Sequence, residues 1–208
     1  MCKLKSGIIL KDRVFVPDYD SHTKMLTELK IKDTRANAEK LFVRAELYPV
    51  SGDMFSTIDT WVFNVDKDYR PDWFVEDYER QRMIEAVKMW AQEHIHIGKS
   101  DFELSSGTHY LKNCKDVTLK KAVSVPLMES STVGVMQGSS TVGVMWGSST
   151  VGVMRGSSIV AIPQDSSAKH ESIILHENST LKDCRTKTIY QSGEWKMELV
   201  NNEQTDKT

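Results

Sequence analysis

The sequence predicts an α+β amino-terminal domain followed by a β-solenoid, and three observations carry that expectation. A nine-residue phrase, Ser-Ser-Thr-Val-Gly-Val-Met-x-Gly, runs three times through residues 130–156. Fixed-period repetition means stacked copies, because one short copy cannot bury its own apolar face. The first hundred residues lack that period but hold short alternating apolar segments and one longer stretch with apolar residues at helical spacing. Finally, nine extended residues reach only about 30 Å, too little to enclose a packed interior in one lap, and no cysteine recurs with the period as a staple. Two repeats per coil, about 17–18 residues, are therefore expected, in a flattened solenoid of two sheets. The domains read as residues 1–100 (head), 101–192 (solenoid) and 193–208 (a terminal strand and a loose polar tail).

In the head, residues 8–16 read as a strand ended by Pro17, Asp18 and Asp20, after which Ser21 caps a short helix carrying Met25, Leu26 and Leu29. Residues 32–40 are polar and form a loop or frayed turn. Residues 41–48 alternate as a half-buried strand does, with Leu41, Val43, Ala45 and Leu47 on one face and Arg44 and Glu46 on the other. Residues 58–65 place Trp61, Phe63 and Val65 on one face and pair with them as an antiparallel hairpin. Pro71 and Asp72 open a helix over residues 73–93, whose Met83, Ile84, Val87, Trp90 and Ala91 face that sheet.

In the second half the apolar pairs Val117/Leu119, Val125/Leu127, Val133/Val135, Val142/Val144, Val151/Val153 and Val160/Ile162 recur at steps of eight or nine residues. Strand positions two apart share a side, so both members of each pair are expected inward. Gly138, Gly147 and Gly156 supply tight turns, and Met128, Met136, Met145 and Met154 fill the edge of the core. His109 and Leu111 take the inward columns of a first rung, and residues from Ile173 to Ile189 continue as less regular rungs. Stack ends need covering; the head covers one, and residues 193–200, with Trp195, cover the other or pair with another chain.

Composition narrows the function classes. A net charge of −2, from 27 basic and 29 acidic residues, offers no electrostatic reason to bind nucleic acid or an anionic membrane. Three widely spaced cysteines and only a short apolar run near the start point to a reducing, cytoplasmic setting. The nonapeptides carry no acidic residue, so they cannot supply the oxygen ligands of calcium-binding β-rolls. Thr132, Thr141 and Thr150 form a hydroxyl column that could suit a regular ligand. Gln137, Trp146 and Arg155 occupy the one variable position of the repeat, beside the turn, and Trp and Arg are residue types that anchor protein interfaces. His94, His96, His109 and Cys114 lie close enough in sequence for a zinc site to be drawn. The carboxylates of Asp59, Asp66, Asp68, Asp72, Glu76 and Asp77 could serve a metal-dependent hydrolase together with His94 and His96, but capping of strand and helix ends explains them more simply. The chain holds none of the nucleophile-elbow, phosphate-loop, dinucleotide or zinc-protease motifs. No catalytic, cofactor-binding or metal-ligating residue is assigned.

The segments Phe-Val-Arg-Ala-Glu-Leu (42–47), Trp-Val-Phe-Asn-Val-Asp (61–66) and Pro-Asp-Trp-Phe-Val-Glu-Asp-Tyr-Glu-Arg-Gln-Arg (71–82), with the following repeats, resemble uncharacterised short-repeat proteins of gut Bacteroidota and their phages. The resemblance implies a globular head on a solenoid in a mobile-element setting, within the host bacterial cytoplasm. The expected function is a non-enzymatic interaction scaffold, in its most concrete form an inhibitor that binds a bacterial defence complex. A protein partner, and a homodimer through the solenoid end or edge, follow from that expectation.

Overall fold

The computed structural model describes residues 5–66, 69–168 and 173–193. In the head, β1 (Lys5–Leu10), β2 (Val14–Phe15), β3 (Phe42–Tyr48) and β4 (Val62–Val65) form an antiparallel sheet in the order β2-β1-β3-β4. The single strand expected over residues 8–16 is instead a hairpin. Lys11, Asp12 and Arg13 are exposed, and Leu10 N–H donates to Arg13 O at 2.8 Å to close the turn. The strand expected over 58–65 begins later, because Ile58–Thr60 make a turn of 3-10 helix that buries Ile58.

Helix α1 (His22–Glu28) is capped by Ser21, whose hydroxyl accepts from Lys24 N–H, and buries Met25 and Leu26. Residues 32–40 do contain a single helical turn, α2 (Arg35–Ala38), capped by Thr34. Helix α3 (Glu76–His94) starts three residues later than expected, since Trp73 lies in a turn closed by Phe74 N–H to Pro71 O. Its Met83, Ile84, Val87 and Trp90 pack on Ile9, Val43, Ala45 and Leu47, while Ile8, Leu10 and Phe42 meet α1 and α2 through Met25, Leu26 and Ala38. The sheet is thus covered on both faces, and β3 buries Phe42 on the side the alternation left to solvent.

The solenoid comprises β5 (Ile95–Ile97), β6 (Glu103–Lys112), β7 (Val117–Glu129), β8 (Thr132–Met136), β9 (Thr141–Val142), β10 (Met145–Trp146), β11 (Thr150–Met154), β12 (Ile159–Ile162), β13 (Ile174–Leu175), β14 (Thr180–Asp183) and β15 (Thr188–Gln191). It makes about five turns. Its stack begins at Ile95, directly after α3 and earlier than residue 101. Parallel partners confirm two repeats per coil: Thr132 pairs with Thr150, eighteen residues on, and Ser124 with Thr141, seventeen on. Strands β8, β11 and β13 form one face together with the start of β7, and β9, β10, β12 and β14 form the other with its end, so the long β7 bends through both.

The valine pairs hold only in part. Val133, Val142 and Val151 are buried, but the second valines, Val135, Val144 and Val153, turn outward and stay half-exposed. The register shows why: Val117 sits beside Val133, but Thr118 sits beside Val135 and Leu119 beside Met136, so the ladder shifts at Gly134. The shift puts two consecutive residues outside and delivers methionine, not the second valine, into the inward column. Met128, Met136, Met145 and Met154 are therefore wholly buried in the core itself. Val117/Leu119 and Val160/Ile162 keep both members inside, as do His109 and Leu111, while in Val125/Leu127 the second member is half-exposed and Met128 is buried instead.

The turns bury a polar group that the pattern hid. The second serine of each repeat, Ser131, Ser140, Ser149 and Ser158, is fully buried. Ser149 hydroxyl donates to Trp146 O at 2.6 Å and Ser140 hydroxyl to Gln137 O at 2.7 Å, three residues back, while Ser131 N–H donates to Ser149 Oγ across coils at 3.3 Å. The hydroxyls of Ser131, Ser140 and Ser149 bond backbone groups at the corners of the coil, where the ladder is interrupted.

Both ends are closed. At the first, Ile95 and Tyr110 join the core of the head. At the other, β14 places Asp183 next to Ile162, fully buried, and the guanidinium of Arg185 holds it at 2.7 Å and also donates to Ala168 O. That arginine keeps the Asp183 carboxyl well down, at about 2. The chain then reverses, so β15, which contains Ile189, runs antiparallel to β14 and is not a further rung. Of the terminal segment expected from residue 193, all but Gly193 lies outside the described residues.

Candidate interaction face

Two columns cross the outer side of the β8–β11 face. One runs Thr132, Thr150; the other runs Thr118, Val135, Val153, Ile174. Adjacent members stand roughly 4.8 Å apart, the rung spacing of paired strands. No charged residue occurs between Ser130 and Met154, so this middle stretch is uncharged. Val135 and Val153 are half-exposed and Ile174 is 54% exposed. At the edge of this face, where the chain turns, lie Gln137 and Arg155, which follow the neighbouring residues Met136 and Met154.

The fold thus gathers Thr132, Thr150, Gln137 and Arg155, and separates them from Thr141 and Trp146. Thr141 stands on the opposite face between Ser124 and Ile159, and Trp146 pairs with Glu129 there. The threonine column is split because successive repeats occupy opposite faces. Thr132 hydroxyl further accepts from Asp116 N–H at 2.9 Å, and Thr141 hydroxyl donates to Ser124 Oγ at 3.4 Å. The outward valine column was not expected from the alternation, and its signal in the sequence is the glycine before each second valine.

His94, His96 and His109 do come together, as a stacked ladder where head and solenoid meet. Trp90 and His94 lie 5.0 Å apart between ring centroids, His94 and His109 5.3 Å, and His109 and His96 5.2 Å. Their nitrogens already have partners. A carbonyl can only accept, so His109 Nε2 carries a proton and donates to Ser106 O at 2.8 Å; His109 Nδ1 then accepts from His96 Nε2 at 3.1 Å, and His96 Nδ1 accepts from Lys99 Nζ at 3.2 Å. Burial first, then the charge of Lys99, holds His96 down at about 4, and burial also lowers His109. His94 instead faces Thr108 O at 2.7 Å and the Asp18 carboxylate at 2.9 Å, and Cys114 Sγ donates to His96 O. The four residues that could be drawn as a zinc site form a hydrogen-bonded junction: the lone pairs of His96 and His109 are turned toward donors inside it, and both nitrogens of His94 face acceptors.

Apart from Asp18, the acidic residues named above are engaged elsewhere in the head. Asp59 pairs with Lys88 at 2.8 Å and Asp66 with His22 at 3.0 Å, while Glu76 and Asp77 sit in the first turn of α3. Asp68 lies outside the described residues. His94 ends the same 19-residue helix, about 27 Å away at 1.5 Å per residue. Glu76 and Asp77 thus stand too far from His94 to act on one substrate atom with it. No helix among the described residues is long and apolar enough to cross a membrane. No protein-family model, curated protein or solved structure matches the chain.

Proposed function

We propose that the protein is a non-enzymatic interaction scaffold whose solenoid presents the β8–β11 face to a protein partner. The observation that carries this reading is the uncharged outward column Val135, Val153, Ile174 beside Thr132 and Thr150. Such a patch loses little on leaving water and gains on being covered. Rigidity supports it as well: each rung is hydrogen-bonded to its neighbours and filled with buried valine and methionine, so the face is preformed and binding orders few backbone groups. Arg155 at the edge adds a fork of donors of the kind that anchors interfaces. The narrower version, an inhibitor of a bacterial defence complex, draws on the resemblance of the sequence to phage-borne repeat proteins.

The test is capture from a bacterial lysate with the full chain as bait, compared with a Thr150→Lys, Val153→Lys variant and with a Ser124→Lys, Thr141→Lys variant on the opposite face. The reading expects a partner whose affinity falls at least tenfold in the first variant and is unchanged in the second. A partner lost equally from both, or retained by both, would remove the assignment of this face. Sizing chromatography of the same proteins shows whether the partner is a second copy of the chain.

A further inference from the structure

Three residues far apart in sequence, His22 at the start of α1, Glu46 on β3 and Asp66 just beyond β4, place ligand atoms within 4.8 Å of one another. The backbone decides what their chemistry is. His22 Nε2 lies 3.2 Å from Ala45 O, and a carbonyl accepts but never donates, so that nitrogen carries the proton. In the neutral ring the lone pair is then on Nδ1, and Nδ1 lies 3.0 Å from Asp66 Oδ2. Two lone-pair-bearing atoms at that distance repel unless a cation lies between or beside them. A second proton on the imidazole is one such cation; a metal ion is the other.

We propose that His22, Glu46 and Asp66 form a binding site for a divalent transition-metal ion, with Nδ1 and the two carboxylates as ligands. The geometry fits. Two neighbouring ligands on an octahedral ion, each at about 2.1 Å, stand √2 times that distance apart, about 3.0 Å, which is the Nδ1–Oδ2 separation found. The hydrogen bond from Nε2 to a main-chain carbonyl is the outer-shell contact that metal-bound histidines make; it fixes the tautomer and the ring plane. One imidazole and two carboxylates, without a thiolate, suit zinc, manganese or iron(II) ahead of copper(I).

Neighbouring charge does not spoil the site. Arg44, two residues from Glu46 on the same strand side, has its guanidinium paired with the Asp33 carboxylate. The side chains of His22 and Asp66 are 11% and 31% exposed, so the ligands are held yet open to an arriving ion. A bound ion would tie the start of α1 to β3 and to the residue just beyond β4, adding to the contacts His22 already makes with Ala45 O and Asp66.

The test uses the full chain, freed of metal by chelator and dialysed, with zinc chloride and manganese chloride titrated separately by calorimetry. One ion per chain is expected, with a higher melting temperature in its presence. His22→Gln, which can still donate to Ala45 O, Asp66→Asn and Glu46→Gln should each weaken binding at least tenfold and abolish the melting shift. A His176→Gln, Cys184→Ser variant, which removes other metal-binding side chains, should keep both. Glu46→Gln is half-exposed and leaves the packing intact, so the result does not depend on how His22→Gln folds. Absence of binding of either ion at millimolar concentration, or binding that survives both Glu46→Gln and Asp66→Asn, overturns the proposal.

Discussion

Gly134 and Gly152 hold the same place in the repeat and Gly156 its last, yet replacement by alanine should act on them in opposite directions. At Gly134 an added Cβ meets nothing within 4 Å and the backbone needs no left-handed conformation. Gly134→Ala should therefore stabilise by about 0.5 kcal/mol, through the lower entropy of the unfolded chain. At Gly152, one coil on, the same methyl would lie 2.7 Å from Gly134 O. At Gly156 it would lie 2.6 Å from Gly138 O, and φ is +70°. Left-handed backbone costs alanine about 1–2 kcal/mol, and relieving such a contact by shifting backbone costs about 1–3 kcal/mol more. Gly156→Ala should thus cost about 2–5 kcal/mol, with Gly152→Ala lower for want of the dihedral penalty. For a chain of this size each kcal/mol is worth roughly 2–4 °C, so Gly134→Ala and Gly156→Ala should melt about 10 °C apart. Urea unfolding followed by circular dichroism measures the difference. Amide exchange over residues 130–160 then shows whether the loss is local to the coil, as expected of a repeat stack. Equal midpoints for all three variants, or Gly134→Ala as the most damaging, would refute the idea that stacking against the previous coil governs these glycines.

Two further outcomes follow from buried groups. Ser149→Ala removes a hydroxyl that accepts from Ser131 N–H and donates to Trp146 O, and should cost about 1–3 kcal/mol. Ser158 occupies the same place in the next repeat, but its hydroxyl is buried with no partner among the described residues, so Ser158→Ala should be neutral or stabilising; a urea series in which Ser158→Ala is the worse of the two would contradict the assignment of partners. In the histidine ladder the folded-state value of His96 is near 4 against an ordinary 6.5. The unfolded chain therefore binds the extra proton first, so this contribution is complete above about pH 6.5 and declines as pH falls toward 4. Melting temperatures from pH 7.5 to 4.5 should fall more steeply for the native chain than for His96→Gln, and parallel curves would show that the ladder is not the titrating element.

Much of the architecture was legible because it depends on periodicity. The two-repeat coil followed from chain length against the need for an enclosed interior, and Thr132 pairing with Thr150 is its direct expression. The methionine column, the turn glycines with positive φ, the Ser21 cap and the apolar stripe of α3 were all visible for similar local reasons. The misreadings have local causes too. The inward placement of both valines assumed unbroken alternation, and the shift at Gly134 broke it. The strand over residues 8–16 hid a three-residue turn without glycine or proline, closed by one backbone hydrogen bond. The interaction residues were named from composition, and the fold then divided them, with Gln137 and Arg155 at one face and Trp146 on the other.

By itself, then, the order of residues determined that the second half stacks, how many repeats make a coil, and that the first valine of each repeat fills it. Those are properties of neighbours along the chain, and period and volume carry them. Only the tertiary structure decided which face each repeat joins, where the ladder slips, how Asp183 and Arg185 close the far end, and that His22, Glu46 and Asp66 meet. Such facts depend on the pairing of residues remote in sequence, and pairing is fixed by the packing of the whole core, which no local pattern records.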